Sequence, residues 1–354
     1  MSGYLAENLK RIRPYVPGEQ PRDGGYIKLN TNENPYFPSR YAVSKITDRV
    51  LDETRLYSDP TSTELREAIA ARYKIGRENV AVGNGSDEIL AFAFRAFSEK
   101  GVCFPDITYG FYKVFAALFG AEAEEIPLNG DFTVDKKKYF GRGKLVVLAN
   151  PNAQTGIYLP LPEVEEIVKN NRGNVVLIDE AYTDFGGESA VGLIGRYENL
   201  MVVQTFSKSR SLAGARIGFA MADPKLIADL ELVKNSFNPY NVNRLSAILA
   251  KAAIEDESYF ADSVEKIRRT RDESAAALKE TGFEVLPSSA NFLMIRHPDV
   301  GGRELYEKLK ERGVLVRHFG DERIREYIRV SIGTPENMRI FTEKVKEIVD
   351  GKKG

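Results

Sequence analysis

One lysine, preceded by hydroxyl groups and followed by an arginine, has the clearest chemical potential in the sequence. Lys208 comes after a strand-like apolar run, residues 200–203, and after Thr205 and Ser207. Arg216 follows eight residues later, beyond a stretch of small residues. Hydroxyls and a guanidinium can bind a phosphate, and a lysine beside that phosphate can hold a carbonyl compound as a Schiff base. Pyridoxal phosphate requires this combination, although a solvent-exposed loop with ordinary basic residues could have the same sequence.

A carboxylate stands at the end of a second apolar run. Residues 175–178 are typical of a buried parallel strand, which would deliver Asp179 to the sheet edge where open α/β folds bind ligands. A buried carboxylate needs a cationic partner, and the protonated ring nitrogen of pyridoxal phosphate is one. Tyr182 could donate to the ring's phenolic oxygen. The alternative, an aspartate that caps a helix, is less favoured because Lys208 lies downstream.

A third segment predicts a phosphate seat. Residues 80–82 form a short predicted strand that breaks into Gly-Asn-Gly-Ser and enters an amphipathic helix, which we expect Ser86 to cap. Free amides and the helix dipole around Gly85, Ser86 and Asp87 would attract a phosphate. A dinucleotide fingerprint is disfavoured because Glu88 stands where its third glycine belongs. A plain strand-to-helix turn is the alternative.

Taken in order, these motifs resemble those of the fold-type-I pyridoxal-phosphate enzymes, the aspartate aminotransferase superfamily. Within it the chain is most similar to the histidinol-phosphate aminotransferase family, over nearly its whole length. Further segments that carry the resemblance are an N-terminal arm at residues 8–15, an inner motif at 28–35, the segment 57–60 with the helical residues 65–70, and the segment 106–110.

The resemblance implies an α/β fold of three layers, with a mostly parallel central sheet and a smaller α+β C-terminal domain. It implies pyridoxal 5'-phosphate as cofactor and transamination of histidinol phosphate with 2-oxoglutarate, giving imidazole acetol phosphate and glutamate. Lys208 would carry the cofactor and act as general base. Tyr109 would stack on the cofactor ring, and Tyr57 would reach the cofactor phosphate of a partner subunit, so that a homodimer shares its active sites.

Substrate selection is expected from both ends of the chain. Arg329 stands where the superfamily places its carboxylate-binding arginine, and guanidinium also suits a phosphate. Arg317 is the expected second cation. Tyr15 and Tyr240 resemble the family's aromatic contacts around the imidazole. Each of the four has an ordinary alternative, either a surface arginine on a strand or a packing tyrosine.

One departure from the family pattern concerns the cofactor ring. The family usually has Asn-Asn-Pro-Thr-Gly, whose second asparagine binds the ring hydroxyl. Here Ala153 stands in that place, after Asn152, and Gln154 replaces the proline. Either Asn152 is re-aimed by a shifted loop or Tyr182 holds the ring oxygen alone, and the sequence leaves both open.

Composition indicates an ordinary enzyme that works on small molecules. The 354 residues suggest two domains, with boundaries expected at 1–32 for an N-terminal arm, 33–240 for a large cofactor-binding domain and 241–354 for a small domain. A net charge of −1 favours neither nucleic acid nor an anionic membrane. The single Cys103 and the absence of a signal-like or membrane-spanning run suggest the cytoplasm. His297 and His318 lie too far apart for a zinc site, and no metal is expected.

Apolar runs alternate with helical patterns along the chain, which favours an α/β sheet. We predict strands at residues 79–82, 101–104, 144–149, 174–179, 200–205 and 216–220, then at 283–286, 291–295, 314–316 and 327–331. We predict helices at 87–98, 109–119, 162–170 and 224–234, a long helical region at 242–281, and helices at 302–312 and 335–349. The tail 350–354 should fray.

Three other functions share much of this pattern. A threonine-phosphate decarboxylase has almost the same cofactor motifs and also needs a phosphate pocket, but it requires no 2-oxoglutarate. An aromatic-amino-acid aminotransferase is the second. The third is a non-enzymatic relative that only binds a ligand, and the presence of both Lys208 and Asp179 disfavours it.

Overall fold

A computed structural model describes residues 2–10, 12–21 and 24–353 of the chain. The strands are β1 (Ile27–Lys28), β2 (Val80–Gly83), β3 (Val102–Pro105), β4 (Ala123–Ile126), β5 (Leu145–Ala149), β6 (Val176–Asp179), β7 (Leu200–Thr205), β8 (Gly218–Ala222), β9 (Glu284–Val285), β10 (Phe292–Arg296), β11 (Val314–Leu315), β12 (Arg317–His318) and β13 (Ile328–Ser331). The helices are α1 (Arg40–Ser44), α2 (Asp48–Asp52), α3 (Thr63–Tyr73), α4 (Ser86–Phe97), α5 (Phe111–Phe119), α6 (Leu161–Lys169), α7 (Pro224–Phe237), α8 (Arg244–Glu255), α9 (Glu257–Glu280), α10 (Gly302–Glu311) and α11 (Pro335–Lys353).

The largest sheet has seven strands in the order β2-β8-β7-β6-β5-β3-β4. Its pairs are parallel except those of β8, which runs antiparallel to both β2 and β7. Ala149, Asp179 and Val203 are neighbours across the ends of β5, β6 and β7. The mostly parallel sheet thus brings the ends of three distant segments to one edge, where such folds bind ligands.

Helices cover both faces of this sheet and make three layers. Alternate residues of each strand point to opposite faces, so one apolar cluster packs beneath α4, α5 and α7 and a second beneath α3, α6 and α8. On β6, Leu177 belongs to the first cluster, while Val176 and Ile178 belong to the second. Strands buried on both faces explain the continuous apolar runs in the sequence.

A smaller, antiparallel sheet lies in the C-terminal part, with the order β12-β13-β10-β9. The N-terminal segment joins this part of the molecule, because β1 pairs in parallel with β11. Arg317 pairs with Arg329 across β12 and β13, so the two arginines expected at the substrate site are neighbours. No helix in the described ranges is long and apolar enough to cross a membrane.

The predicted strands of the large sheet are found within two residues of their expected bounds, and four details differ. Strand β4, Ala-Glu-Glu-Ile, was not predicted. The region 242–281 is two helices, since Asp256 caps the start of α9 by accepting from the Tyr259 backbone N–H at 3.2 Å. Gly85, not Ser86, is the N-cap of α4, and no side chain caps that helix.

The fourth difference is the C-terminal tail. We expected residues 350–354 to fray, but α11 continues to Lys353, and Gly354 lies outside the described residues. Ile348 and Val349 are buried in the core, and Lys352 pairs with Glu304 of α10 at 2.7 Å. These contacts hold the last turns of the helix, which sequence position alone did not indicate. Arg11 of the N-terminal motif also lies outside the described residues.

Candidate active site

Lys208 lies in the loop of residues 206–217, which joins β7 to the antiparallel β8. Its side-chain Nζ donates to the carbonyl of Thr31 at 3.1 Å. The loop itself is clamped by Asn34, whose amide donates to the carbonyls of Lys208 at 3.1 Å and Ser209 at 3.2 Å. Lys208 is therefore held in place by Thr31 and Asn34, which lie about 175 residues earlier in the chain.

Asp179, the last residue of β6, is buried and held by two donors. The Tyr112 hydroxyl donates to Oδ2 at 2.7 Å, and the backbone N–H of Ala181 donates to Oδ1 at 3.2 Å. Burial raises the pKa of Asp179 to about 6, and these two hydrogen bonds offset only part of the effect. Within the described residues no Lys or Arg pairs with this carboxylate. It is therefore well placed to receive a cationic group of a ligand.

Tyr182 is nearly buried, and its ring lies 5.9 Å from the Nζ of Lys208. Its hydroxyl accepts a hydrogen bond of 3.0 Å from the side-chain amide of Asn32. Because that amide nitrogen can only donate, the proton of the tyrosine hydroxyl stays available for another acceptor.

The predicted phosphate seat forms between the start of α4 and the Lys208 loop. The first amides of α4 have no partner within the helix. Arg216 faces them: a Cβ on Gly85 would lie 2.5 Å from its guanidinium, so only glycine permits this approach. Arg216 donates to Asp87 Oδ2 at 3.1 Å and to the Ser207 hydroxyl at 3.5 Å. Arg216 also has a left-handed backbone, φ 55°, which explains why β8 begins two residues later than predicted.

These groups surround one cavity of about 330 Å³. Its lining includes nine predicted residues: Ser86, Asp87, Tyr109, Asp179, Tyr182, Thr205, Ser207, Lys208 and Arg216. Asp87 positions two other side chains of the site. Its carboxylate accepts hydrogen bonds from Arg216 and, at 2.7 Å, from the Tyr109 hydroxyl. The lining of this cavity therefore combines the buried carboxylate of Asp179 with hydroxyls, a guanidinium and the lysine. This donor set fits a group with a basic ring nitrogen, a carbonyl and a phosphate.

A second cavity, of about 610 Å³, adjoins the first and shares Tyr109, Tyr182 and Lys208 with it. The four cationic residues Arg13, Lys113, Arg317 and Arg329 line it in addition to Lys208, and no Asp or Glu of the described chain does. Tyr15 also lines it and stacks on Phe111 with the ring centroids 4.5 Å apart. The cavity is therefore suited to an anionic substrate.

Arg329 is the most constrained of these cations. One guanidinium nitrogen donates to the Ala153 carbonyl at 2.8 Å, and the group lies 5.0 Å from the ring centroid of Phe292 and 5.3 Å from that of Phe319. Burial lowers its pKa, and its Nε has no hydrogen-bond partner in the described part of the chain. Arg317 is more open and donates to the Val16 carbonyl at 2.8 Å.

Two predicted residues are not brought to this site within one chain. Tyr57 is 80% exposed and stacks on Tyr240 with centroids 4.5 Å apart. Neither tyrosine lines the two cavities. The backbone of Tyr57 is held by Arg244, which donates to its carbonyl at 2.9 Å.

The loop that departs from the family pattern places Ala153 at the site, where the family usually has an asparagine. Asn152 is turned away: its amide donates to the Ile107 carbonyl at 2.9 Å, and its oxygen accepts from the backbone N–H of Gln154 at 2.9 Å. Ala153 lines both cavities and offers no side-chain donor. The Asn152 side chain is therefore bound to backbone groups, and Tyr182, which lines the smaller cavity, remains the predicted partner of the ring oxygen.

Sequence reasoning missed several residues that build the site. Thr31, Asn32 and Asn34 contact Lys208 or Tyr182, and Tyr112 contacts Asp179. The run Asn-Thr-Asn-Glu-Asn at 30–34 gave a usable signal, because so many amides together suggest a backbone-binding segment. Tyr112 gave none, since it is one aromatic residue on the apolar face of α5.

Comparison with known proteins identifies the class. Residues 25–345 match the family model described as aminotransferase class I and II. The chain belongs to this family, and it is an aminotransferase.

Curated relatives narrow the comparison to histidinol-phosphate aminotransferases. The chain is 50% identical over 352 residues to the enzyme of that name from Brachyspira hyodysenteriae, with 99% of each chain covered. It is 51% identical over 351 residues to histidinol-phosphate aminotransferase 2 from Rhizobium meliloti, covering 99% of this chain and 100% of that one. The resemblance deduced from the motifs is confirmed.

The solved structures agree on the fold. The histidinol-phosphate aminotransferase from Sinorhizobium meliloti, solved in complex with pyridoxal-5'-phosphate, superposes with a TM-score of 0.89 at 22% identity and covers 99% of both chains. That from Clostridium acetobutylicum gives 0.85 at 22% identity, covering 92% of this chain and 99% of that one. The predicted three-layer fold is confirmed.

Proposed function

We propose that the protein transfers the amino group of histidinol phosphate to 2-oxoglutarate, a step of histidine biosynthesis, with pyridoxal 5'-phosphate as cofactor. The observation that carries the proposal is the pair of joined cavities. The smaller has the donor set for the cofactor, and the larger has cations and no carboxylate in its described lining. The names of the relatives that are about half identical over the full length support the same substrate.

When bound, the cofactor supplies a carbonyl that combines with amines and a ring that accepts electrons. Lys208 would hold it covalently and, once released, move the proton of the substrate carbon. Asp179 would keep a positive charge on the ring nitrogen, because a buried carboxylate without a cation favours such a partner. Tyr182 would donate to the ring oxygen. Arg216, Ser207, Thr205 and the start of α4 at Gly85 and Ser86 would bind the phosphate.

Arg329 and Arg317 would bind the anionic end of each substrate in turn. Histidinol phosphate has no carboxylate, and its phosphate can occupy the place that a carboxylate of glutamate takes, because a guanidinium binds both by paired hydrogen bonds. The unpartnered Nε of Arg329 supports this role, since a buried donor without an acceptor is costly unless a ligand supplies one. Tyr15 would pack beside the substrate ring.

The active form would be a homodimer in the cytoplasm. Several large apolar side chains are exposed, including Phe37, Leu56, Tyr57, Phe237 and Tyr240, and the last of these stacks on Tyr57. The exposed Tyr57–Tyr240 pair would be covered by a second copy of the chain in such a dimer. Tyr57 would then reach the phosphate seat of the other subunit, with Tyr240 beside it. The domain boundaries at 1–32, 33–240 and 241–354 remain a proposal.

One assay separates this function from its rivals. The purified protein is incubated with histidinol phosphate, phenylalanine or threonine phosphate, each with and without 2-oxoglutarate. We expect turnover of histidinol phosphate only when 2-oxoglutarate is present, since the amino group needs an acceptor. Carbon dioxide release from threonine phosphate without 2-oxoglutarate would support a decarboxylase, to which the cationic cavity is also suited. Faster turnover of phenylalanine would support an aromatic-amino-acid aminotransferase.

A further inference from the structure

Asn32 lines the larger cavity beside Tyr182 and Lys208, and hydrogen bonds constrain it on several sides. It is 1% exposed and has a left-handed backbone, with φ 56°. Its side-chain amide donates to the Tyr182 hydroxyl at 3.0 Å, and its backbone N–H donates to the Ser331 hydroxyl at 2.8 Å. Ser331 in turn donates to Asn32 Oδ1 at 2.9 Å, and Asn291 donates to the Asn32 carbonyl at 3.0 Å. Every polar atom of Asn32 is thus engaged.

This network fixes which way the amide faces. The Ser331 hydroxyl accepts from the Asn32 backbone, so its own proton needs an acceptor, which is Oδ1. The amide nitrogen must then face Tyr182. The reversed amide would leave the serine proton without an acceptor and would take up the proton of the tyrosine. With the amide in this orientation, the Tyr182 hydroxyl accepts a hydrogen bond from Asn32, and its own proton remains free to be donated to another group.

The hydroxyl proton of Tyr182 matters more in this chain than it would if a second side chain could also donate to the ring oxygen. Ala153 lines both cavities and offers no side-chain hydrogen bond, while Asn152 is committed to the loop. We propose that Asn32 is a positioning residue that keeps the Tyr182 hydroxyl proton directed into the cavity, toward the ring oxygen of the cofactor. The proposal rests on the proposed function, because the acceptor belongs to pyridoxal phosphate.

Four variants test the proposal. Asn32→Asp replaces the donor by a carboxylate, which would accept the tyrosine proton and withdraw it from the cavity. Asn32→Gly removes the amide and suits the left-handed backbone, so it remains informative if the aspartate variant folds poorly. Tyr182→Phe removes the hydroxyl, and Asn32→Asp/Tyr182→Phe closes a double-mutant cycle. Asn199→Asp, another buried asparagine whose amide binds only backbone carbonyls, controls for a new buried carboxylate.

The measurement is the pH titration of the absorbance of bound pyridoxal phosphate, with kcat and KM recorded beside it. A hydrogen bond donated to the ring oxygen withdraws electron density and lowers the proton affinity of the conjugated nitrogen. We therefore expect Asn32→Asp and Tyr182→Phe to move the titration midpoint to higher pH by about one unit, the equivalent of one hydrogen bond. Asn32→Gly should shift it less. The double variant should shift it no further than Tyr182→Phe, and Asn199→Asp should leave the midpoint unchanged.

The possible outcomes distinguish a failure of the proposed role of Asn32 from a failure of the proposed function. If the wild type binds pyridoxal phosphate and transaminates but both Asn32 variants titrate like it, the positioning role is refuted while the proposed function stands. Additive shifts in the double variant would also refute it, because Asn32 would then act by a route other than Tyr182. If the wild type shows no cofactor absorbance at all, the proposed function itself fails.

Discussion

Replacing Asp179 by asparagine should stabilise the cofactor-free protein at neutral pH and weaken its hold on the cofactor. Burial raises the pKa of Asp179 from 3.8 to about 6, so the folded state binds more protons than the unfolded state between these values. Stability therefore falls as the pH rises through this window and levels off above about 6. A shift of about two units corresponds to about 3 kcal/mol at pH 8, which Asp179→Asn would recover.

The same substitution also removes a hydrogen bond. An asparagine oxygen can still accept from Tyr112, but its amide nitrogen then faces the Ala181 backbone N–H, which donates to Asp179 at 3.2 Å. The loss should cost about 1 kcal/mol. Without cofactor, the variant should be about 0.5 kcal/mol less stable than the wild type near pH 4, where the aspartate of the unfolded wild type is already partly ionised, and about 2 kcal/mol more stable at pH 8. Both proteins retain Glu180, whose pKa burial raises to about 7, so its contribution cancels.

The assay is urea unfolding of both cofactor-free proteins at several pH values from 4 to 8, then at pH 8 with pyridoxal phosphate added. The cofactor should reverse the order, because a ligand stabilises the folded protein more the more tightly it binds, and the wild type would offer the anion for the ring nitrogen. A stability difference that stays constant from pH 4 to 8 would refute the claim that Asp179 is buried without a cation. Equal cofactor affinity in the two proteins would refute its pairing with the ring.

Three further predictions concern the chemistry, the assembly and the substrate. Lys208→Ala should abolish turnover and leave no adduct that borohydride can fix, whereas a reduced adduct on another lysine of the wild type would show the assignment to be wrong. Lys208→Ala and Tyr57→Ala chains, each inactive alone, should regain activity on subunit exchange, since each hybrid dimer would hold one site without either lesion; hybrids that form but stay inactive would count against a shared site. Arg329→Gln should lower kcat/KM for both histidinol phosphate and glutamate by about a hundredfold or more, the scale of a lost buried charged contact, and a loss confined to one substrate would disprove a common anion site.

The parts of the fold that sequence predicted best are those where burial leaves a continuous pattern. Strands β5, β6 and β7 are buried on both faces, so β5 is apolar throughout and β6 and β7 each begin with an apolar run and end with polar residues. Strand β4 lies at the sheet edge, and its two glutamates face salt-bridge partners, Glu124 with Arg142 and Glu125 with Lys113. An edge strand needs no apolar run, and nothing in its sequence distinguished it from a loop.

Strand burial also explains which residues of the site could be predicted from sequence and which could not. Asp179 and Lys208 were predictable because Asp179 ends one buried strand, Lys208 comes three residues after another, and the ends of parallel strands share one edge. Asn32 lies 150 residues from Tyr182 in sequence, and only the packing of the N-terminal segment against both sheets brings them together. The pairing of Tyr57 with Tyr240 depends in the same way on the tertiary fold.

Two buried groups connect the stability of this protein to its function. Asp179 is a carboxylate without a cation, and Arg329 is a cation whose Nε has no acceptor, each within the described chain. A protein selected for stability alone would replace both by apolar or neutral residues, because unpaired buried charge is costly. Under the proposed function, each residue would gain its partner from a ligand, a ring nitrogen for Asp179 and a phosphate or carboxylate for Arg329. The free energy that these two charges cost the cofactor-free protein would then be regained on binding, and we expect the adjoining cavities to take ligand groups of opposite charge.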